Sequence, residues 1–272
     1  YNVNIPLFYY RQHPQSLAKK QERILDTRRM IKRKFVEKYH NGKRPKVLGI
    51  IPVVWRSIYP QSNPFVNLAG KPLIWYTLNE VQNAKSLDRI VLTSENNEVR
   101  KYANQFPNII SISRPEELAR STTKIQDTVI HVLDSLEKSL NYTPDAVCIL
   151  YITTPLRKAY HIDKAIDTMT IFNVDSVISI QEELSFCYFH RRFGLVPINK
   201  SDRNLRIERD AIFRENGAIY VSRVNAIKEG NLFGKKIGHI TMLPQESIKV
   251  NSEFELWLAD KILREWKQSD GL

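Results

Sequence analysis

The feature that most constrains the fold is a regular alternation of short apolar runs with longer amphipathic stretches. Mainly apolar runs of four to seven residues are typical of parallel strands that are buried on both faces. In this sequence the runs are Val47–Ile51, Arg89–Thr93, Ile109–Ile112, Ala146–Ile152, Ser176–Ile180 and Ala218–Val221. Helical stretches follow at Asn96–Gln105, Thr123–Leu140, His161–Phe172 and Ser252–Lys267. The alternation predicts an α/β fold with a mostly parallel sheet covered by helices on both faces.

A long connection follows the first predicted strand. Val53–Asn67 holds fifteen polar or irregular residues, and a helical stretch begins after it, with Pro72 near the first turn. In an open α/β sheet this loop lies over the carboxyl ends of the strands, where ligands bind. The loop is therefore a candidate nucleotide site, and the alternative is a surface connection that is simply long.

Composition sets limits on the class of protein. No apolar run approaches 18 residues, so we expect no membrane span. Two cysteines, Cys148 and Cys187, lie far apart and lack the neighbours of a metal site, which favours a reducing, intracellular compartment without a disulfide framework. The sequence begins at Tyr1 and not at Met, which is expected either from removal of a targeting peptide or from truncation.

The positive charge is concentrated in residues 1–47. This segment has 13 Lys or Arg against three acidic residues, a net +10, and the remaining 225 residues have 28 against 26, a net +2. We therefore expect two parts: residues 1–45 form a basic arm with a helix from Ser16 to about His40, and residues 46–272 form the globular domain. A basic helix of this kind is suited to RNA or an acidic protein surface. The alternative is a solvated helix packed on its own domain. The predicted contact residues are Arg28, Arg29, Lys32, Arg33 and Lys34.

Six sequence blocks resemble a known family. The blocks IIP, LAGKPLIWYTL, RPEELA, TTPLR, DSVISI and ENGAIYV come in the order and spacing of the CMP-sugar cytidylyltransferases, which activate acylneuraminate and 3-deoxy-octulosonate sugars. The resemblance covers about Lys46–Asp260. It implies a Rossmann-like nucleotidyltransferase fold and a reaction of a sugar hydroxyl with the α-phosphate of CTP, assisted by Mg²⁺. It also implies a homodimer formed through the excursion at about 186–199.

The first loop departs from the family pattern at its cations. Val54, Ile58 and Asn63 stand where the family has Arg, Lys and Lys, and Trp55 with Arg56 replaces glycines that would close around phosphates. From these positions alone, we expect the loop to have lost its phosphate site.

The metal motif also departs from the pattern. Lys249 and Asn251 occupy the two carboxylate positions of the family's Asp-x-Asp. A unit charge pair at 4 Å is worth about 4 kcal/mol at an effective dielectric of about 20, so an ammonium in place of a carboxylate strongly disfavours a divalent ion. We expect no metal and no other cofactor at this position.

Other family positions survive. Ser57, Thr153, Thr154, Arg157 and Asn216 match, and the resemblance implies that they are what remains of the nucleotide and sugar pocket. Tyr151 and Ile152 stand where the family has Gln-Pro, and the Gln belongs to the sugar pocket.

Since the lost residues are mainly charged and the retained ones mainly shape the fold, the sequence predicts a catalytically inactive member with no catalytic residue. The basic arm then predicts a structural or binding subunit of a large assembly, with a mitochondrial ribonucleoprotein such as a ribosome as the specific case. Two alternatives stay open. One is an active CMP-sugar synthetase that uses Mg²⁺, and the other is a sensor that binds CTP or CMP without turnover.

Overall fold

The computed structural model describes Met30, Ile31, Lys34 and residues 44–55, 63–198 and 212–266. The three isolated residues are helical and exposed, and the rest of the predicted arm up to residue 43 lies outside the described residues. The chain divides into two compact units, and the larger is Pro45–Glu265.

A seven-stranded sheet forms the centre of the larger unit. Its strands are β1 (Val47–Pro52), β4 (Arg89–Ser94), β5 (Ile109–Ser113), β6 (Ala146–Ile149), β7 (Ser176–Glu183), β10 (Ile212–Arg223) and β11 (Ile237–Thr241). Their order in the sheet is β11-β7-β10-β6-β1-β4-β5, and β10 is antiparallel to both of its neighbours whereas the other pairings are parallel. The mostly parallel sheet that the sequence predicts is confirmed.

Helices cover both faces of this sheet. They are α1 (Leu73–Asn83), α2 (Asn97–Ala103), α3 (Ile125–Leu140), α4 (Ala159–Phe172), α5 (Val224–Lys228) and α6 (Glu253–Glu265), with 3₁₀ turns at Glu116–Ala119 and Pro244–Ser247. The side chain of Asn96 caps α2 by accepting hydrogen bonds from the N–H groups of Glu98 and Val99, at 2.7 and 3.1 Å. Asn141 and Asn173 end α3 and α4 in the left-handed conformation.

Alternate residues of β1 enter two different hydrophobic cores. Val47 and Ile51 pack with α1, α2 and α4 on one face of the sheet. Leu48 and Ile50 pack with α3 and α5 on the other face. Each of these four side chains is fully buried, which explains why β1 has no polar positions and reads as an unbroken apolar run.

Two small hairpins stand outside the main sheet. The first pairs β2 (Asn67–Leu68) with β3 (Lys71–Pro72) and leads into α1. The second pairs β8 (Tyr188–Arg191) with β9 (Gly194–Pro197), within the predicted excursion. Phe193, at the tip of the second hairpin, is 94% exposed, and Leu195 is 67% exposed.

Within the described ranges, no helix is long and apolar enough to cross a membrane.

Candidate active site

A cleft opens where the chain reverses its direction across the sheet. From β1 the chain continues to β4 and β5 on one side, and β6 then pairs with the other edge of β1. Open α/β sheets bind ligands outside the carboxyl ends of their strands at such a switch point. The cleft has a volume of about 230 Å³. Its walls are partly apolar, from Pro52, Val54, Leu118, Ile125 and Ile152, and partly polar, from Arg114, Arg120, Tyr151 and Thr153.

Arg114 joins the loops that follow three neighbouring strands. It is only 4% exposed, and its Nη2 donates to the carbonyl oxygen of Val53 at 2.7 Å and to Oε2 of Glu95 at 2.8 Å. The other oxygen of Glu95 accepts the backbone N–H of Trp55 at 2.6 Å. A guanidinium and a carboxylate therefore hold the loop after β1 against β4 and β5, which fixes one side of the cleft.

The Nε–H of Arg114 has no hydrogen-bond partner among the described residues. A buried donor without a partner costs about 1–3 kcal/mol, and Arg114 lines the cleft. Nε itself has almost no solvent-accessible surface, so this donor lies beneath the wall of the cleft. Arg114 therefore shapes the wall and does not offer a free donor to the cleft.

The loop after β6 is held from beneath by Arg157. This side chain is 1% exposed, and it donates to the carbonyl oxygen of Ala218 at 2.8 Å and to Oγ1 of Thr77 at 2.9 Å. Burial lowers the pKa of Arg157 to about 10. Oγ1 of Thr154, also buried, donates to the carbonyl oxygen of Tyr151 at 3.2 Å. Thr154 and Arg157 therefore shape the loop from below, whereas Thr153 lines the cleft itself.

Asn216 organises a bulge in β10. Its Oδ1 accepts the hydroxyl of Ser179 at 2.6 Å and the N–H of Ala218 at 3.1 Å, and its Nδ2 donates to the hydroxyl of Ser247 at 3.0 Å. The register of β10 against β7 shifts between Glu215 and Tyr220. Asn216 thereby links β7, β10 and the 3₁₀ turn Pro244–Ser247.

Gly217 completes the bulge. Its φ of +73° lies in the left-handed region that favours glycine. The hydroxyl of Tyr220 donates to the carboxylate of Glu215 across the bulge, and its ring packs edge to face on Tyr151 with the centroids 6.0 Å apart. The bulge is therefore connected to the cleft through Tyr151.

Lys249 lies over this bulge. Its Nζ is 3.7 Å from the point where a Cβ on Gly217 would stand, and the side chain is exposed. The next residue, Val250, donates its N–H to the carbonyl oxygen of Thr153 at 2.7 Å, which ties the segment to the cleft loop. The N–H of Asn251 donates to Oε2 of Glu255 at 2.8 Å, at the start of α6.

The segment before Lys249 is anchored by a buried carboxylate. Glu246 accepts Nε2 of His161 at 3.1 Å, the hydroxyl of Tyr160 at 2.6 Å and the N–H of Leu243 at 3.0 Å. The Nδ1 of His161 accepts the N–H of Lys158 at 3.0 Å, so the proton of the neutral ring resides on Nε2. Burial alone would raise the pKa of Glu246, but the hydrogen bonds from His161, Tyr160 and Leu243 outweigh burial and lower it to about 2.

The donor set at Lys249 and Asn251 does not fit the Mg²⁺ that the family resemblance implies. Divalent Mg²⁺ prefers carboxylate oxygens, and this position presents an ammonium and an amide. Within the ranges that the structure describes, no group of three or more His, Cys, Asp or Glu side chains is placed to hold a metal ion.

The structure describes some of the remaining predicted site residues, and the others lie outside its described ranges. Val54 lines the cleft. Asn63 is half-buried and closes a turn, since its Oδ1 accepts the N–H of Phe65 at 2.9 Å. Lys34 is exposed on its helix. The other predicted residues, Ser57, Ile58, Arg28, Arg29, Lys32 and Arg33, lie outside the described part of the chain.

Two cleft residues were missed by sequence reasoning. Arg114 belongs to the block RPEELA, and Arg120 follows it directly. The block was interpreted as part of the fold and not as a binding element. The available signal was position, because Arg114 comes immediately after a buried strand, at the edge of the sheet where ligands bind.

The fold is that of an α/β protein with a mostly parallel sheet and a cleft at the carboxyl ends of its strands. A family model described as Cytidylyltransferase matches residues 61–262, about three quarters of the chain. The chain therefore belongs to the cytidylyltransferase family, which confirms the predicted resemblance.

Individual relatives are enzymes that act on sugar acids. The chain is 27% identical over 225 residues to CMP-N,N'-diacetyllegionaminic acid synthase of Legionella pneumophila, covering 80% of this chain and 96% of that protein. It is 24% identical to N-acylneuraminate cytidylyltransferase of Oncorhynchus mykiss, over 72% of this chain and 46% of that protein. The 3-deoxy-manno-octulosonate cytidylyltransferase of Zea mays is 26% identical over 59% of this chain and 56% of that protein. The chain thus spans about half the length of the last two.

Solved structures share the fold at low sequence identity. A CMP-2-keto-3-deoxy-manno-octonic acid synthetase complexed with CTP matches with a TM-score of 0.60 at 12% identity, over 82% of this chain and all of that one. A 4-diphosphocytidyl-2C-methyl-D-erythritol synthase from Anaerococcus prevotii matches with a TM-score of 0.60 at 13% identity, over 81% of this chain and 97% of that one. These matches confirm the Rossmann-like nucleotidyltransferase fold.

The comparisons overturn the hypothesis of an inactive structural subunit in a ribonucleoprotein. The relatives are cytidylyltransferases and CMP-sugar synthases, and they support neither an RNA partner nor a large assembly. The hypothesis was wrong because it equated the loss of charge at Val54, Ile58, Asn63, Lys249 and Asn251 with the loss of the site. The cleft is instead framed by the buried pair of Arg114 and Glu95, which that count of charges did not include.

Proposed function

We propose that the chain is a cytidylyltransferase that transfers CMP from CTP to a sugar acid. In the reaction, a hydroxyl oxygen of the sugar acid forms a bond to the α-phosphorus of CTP. The bond from that phosphorus to the bridging oxygen of the β-phosphate breaks, and pyrophosphate leaves with the electron pair. The hydroxyl proton goes to solvent or to a base.

The observation that carries this proposal is the cleft at the switch point of the sheet, lined by apolar and cationic side chains, in a chain of the cytidylyltransferase family. Tyr151 and Thr153 also line the cleft and can form hydrogen bonds with the polar edge of cytosine. The neighbouring apolar side chains Val54, Leu118 and Ile152 suit the face of a planar base. Arg120, exposed at the same cleft, adds a positive charge for an anionic nucleotide.

The substrate class is supported by the relatives. Their names specify diacetyllegionaminic acid, acylneuraminate and 3-deoxy-manno-octulosonate, which are all sugar acids. We therefore propose a sugar that carries a carboxylate as the acceptor for CMP.

The second hairpin supports a homodimer. Phe189 and Val196 are paired across β8 and β9 on one face of the hairpin and are 48% and 47% exposed, and Phe193 at the turn is 94% exposed. Neighbouring exposed apolar side chains mark protein interfaces, and a second copy of the same hairpin offers a matching apolar surface.

The domain division stays a prediction, with a basic arm at 1–45 and the cytidylyltransferase domain at 46–272. The mitochondrial location also stays a prediction.

Turnover with defined substrates tests the proposed function. Purified chain with CTP and a set of sugar acids, in buffer with Mg²⁺ and separately with EDTA, should release pyrophosphate and form CMP-sugar in equal amounts for at least one sugar acid. The matched neutral sugar, without the carboxylate, should give neither product. ATP in place of CTP should also give none.

Two results would count against it. Absence of pyrophosphate with every sugar acid in both buffers contradicts the transferase. Tight CTP binding without pyrophosphate indicates a sensor instead.

A further inference from the structure

Lys249 places a positive charge over the bulge of β10, next to Val250, which is hydrogen-bonded to the cleft residue Thr153. Its side chain is exposed, and no ion pair involving it is present among the described residues. Glu215, on the same bulge, is instead engaged by the hydroxyl of Tyr220. The ammonium of Lys249 is therefore available to an anion from solution or from a ligand.

The backbone on both sides of Lys249 is fixed. On one side, the hydroxyl of Ser247 bonds to Asn216 at 3.0 Å and the carboxylate of Glu246 bonds to His161 at 3.1 Å. On the other side, the backbone N–H of Val250 donates to the carbonyl oxygen of the cleft residue Thr153 at an N···O distance of 2.7 Å. Because these hydrogen bonds are buried or partly buried, they hold the start of the lysine side chain beside the cleft, so little conformational entropy remains to be lost there on binding.

A divalent ion would have to compete with this ammonium. Asn251 offers one neutral oxygen at most, and its backbone N–H is engaged by Glu255. The described residues provide no trio of His, Cys, Asp or Glu side chains that could bring a metal to the site. The ammonium of Lys249 is a charge of the protein itself that can balance an anionic ligand here.

We infer that the ammonium of Lys249 contacts the phosphate groups of CTP in the role of a resident cation, so that CTP binds without a divalent metal ion. This inference rests on the proposed function, since it takes CTP as the ligand of the cleft. It extends that function by assigning a phosphate-binding residue and by predicting independence from Mg²⁺ in nucleotide binding.

Calorimetric titration of the full chain with CTP tests the inference. For the wild-type chain, the dissociation constant in excess EDTA should lie within about threefold of the value in Mg²⁺. Lys249→Ala should weaken CTP binding in EDTA by about tenfold or more, which corresponds to about 1.4 kcal/mol. Lys249→Arg should retain most of the affinity, because it keeps the charge.

A matched control is Lys228→Ala. Lys228 is an exposed lysine at the end of α5. This helix begins next to the amino end of β6, whereas the cleft lies at the carboxyl ends of the strands. Its replacement should leave CTP binding unchanged. The double variant Lys249→Asp/Asn251→Asp should bind CTP in Mg²⁺ and lose about tenfold in affinity when EDTA is added.

The outcomes separate the inference from the proposed function. If wild-type binding falls tenfold or more in EDTA, or if Lys249→Ala binds CTP normally, the inference is wrong while a CTP site remains. If Lys249→Ala binds CTP normally but binds a sugar acid more weakly than the wild type, Lys249 would be assigned to the sugar carboxylate. If the chain binds no CTP in either buffer, both the proposed function and the inference fail.

Discussion

Replacing Glu246 by Gln should destabilise the fold and change its response to acid. The carboxylate accepts three hydrogen bonds, from His161, Tyr160 and Leu243. A Gln side chain has one oxygen to accept with, and its NH₂ group would face donors. His161 cannot relieve this by moving its proton to Nδ1, because that nitrogen accepts the N–H of Lys158.

The magnitude follows from the pKa of Glu246. The hydrogen bonds lower the pKa from an ordinary 4.5 to about 2 despite burial, a difference that corresponds to about 3 kcal/mol at neutral pH. Since the pKa is lowered in the folded state, this stabilisation is complete above about pH 4.5 and is lost as the pH falls toward 2. At pH 4 the folded state should have lost about 1 kcal/mol of this stabilisation.

Urea unfolding at pH 7, 5 and 4 measures the effect. Glu246→Gln should lower the free energy of unfolding by about 3 kcal/mol at pH 7, and the gap to the wild-type chain should narrow by about 1 kcal/mol at pH 4. The matched control is Glu265→Gln, which removes an exposed carboxylate paired with Lys261 and should cost less than about 1 kcal/mol. A gap that stays constant with pH, or a variant as stable as the wild type, would refute the reasoning.

Two further predictions concern the cleft and the second hairpin. Arg114→Lys keeps the charge but loses the planar fork that joins Val53 to Glu95 beside the cleft, so CTP affinity should fall about tenfold in calorimetry. Arg264→Lys, on the exposed face of α6, should have no effect, and equal affinities of the Arg114 variant and the wild type would remove Arg114 from the site. Phe189→Ser/Phe193→Ser should convert a dimer to a monomer in analytical ultracentrifugation, whereas Phe172→Ser, at an exposed position at the end of α4, should not. A wild-type monomer would contradict the interface.

Much of the fold could be predicted because its strands are buried on both faces. The run Val47–Ile51 lies within β1, and Arg89–Thr93 lies within β4, each extended in the structure by one residue. The strand predicted at Ala218–Val221 is instead twelve residues long. In its first part Phe213, Arg214 and Glu215 are exposed, and two of these three are charged. This part therefore lacks the unbroken apolar run of a buried strand and is specified by pairing with β7.

Edge strand β11 was not predicted for a related reason. It pairs on one side only, and Ile237, His239 and Thr241 are exposed, so the segment lacks the apolar run of a buried strand. The helical stretch predicted at Ser252–Lys267, with Phe254, Leu258, Ile262 and Trp266 at helical spacing, is confirmed as α6. It does not give the buried face, because Phe254 is 66% exposed while Ala259 is fully buried.

The site was predicted less well than the fold because its chemistry depends on burial and on distant partners. The sequence shows Arg114 and Glu95 as separate charges, but their 2.8 Å contact and the unpaired Nε–H arise only when β4 and β5 are side by side. Arg157 is the opposite case. The resemblance assigns it to the pocket, but in the structure its side chain is buried and hydrogen-bonded to Ala218 and Thr77.

A crystal structure of the chain with CTP tests the central claim most directly. We expect a cytosine in the cleft, with its face against Val54 and Ile152 and with the phosphates extending toward Lys249. A nucleotide bound elsewhere on the chain, or a cleft that stays empty at saturating CTP, would contradict the account.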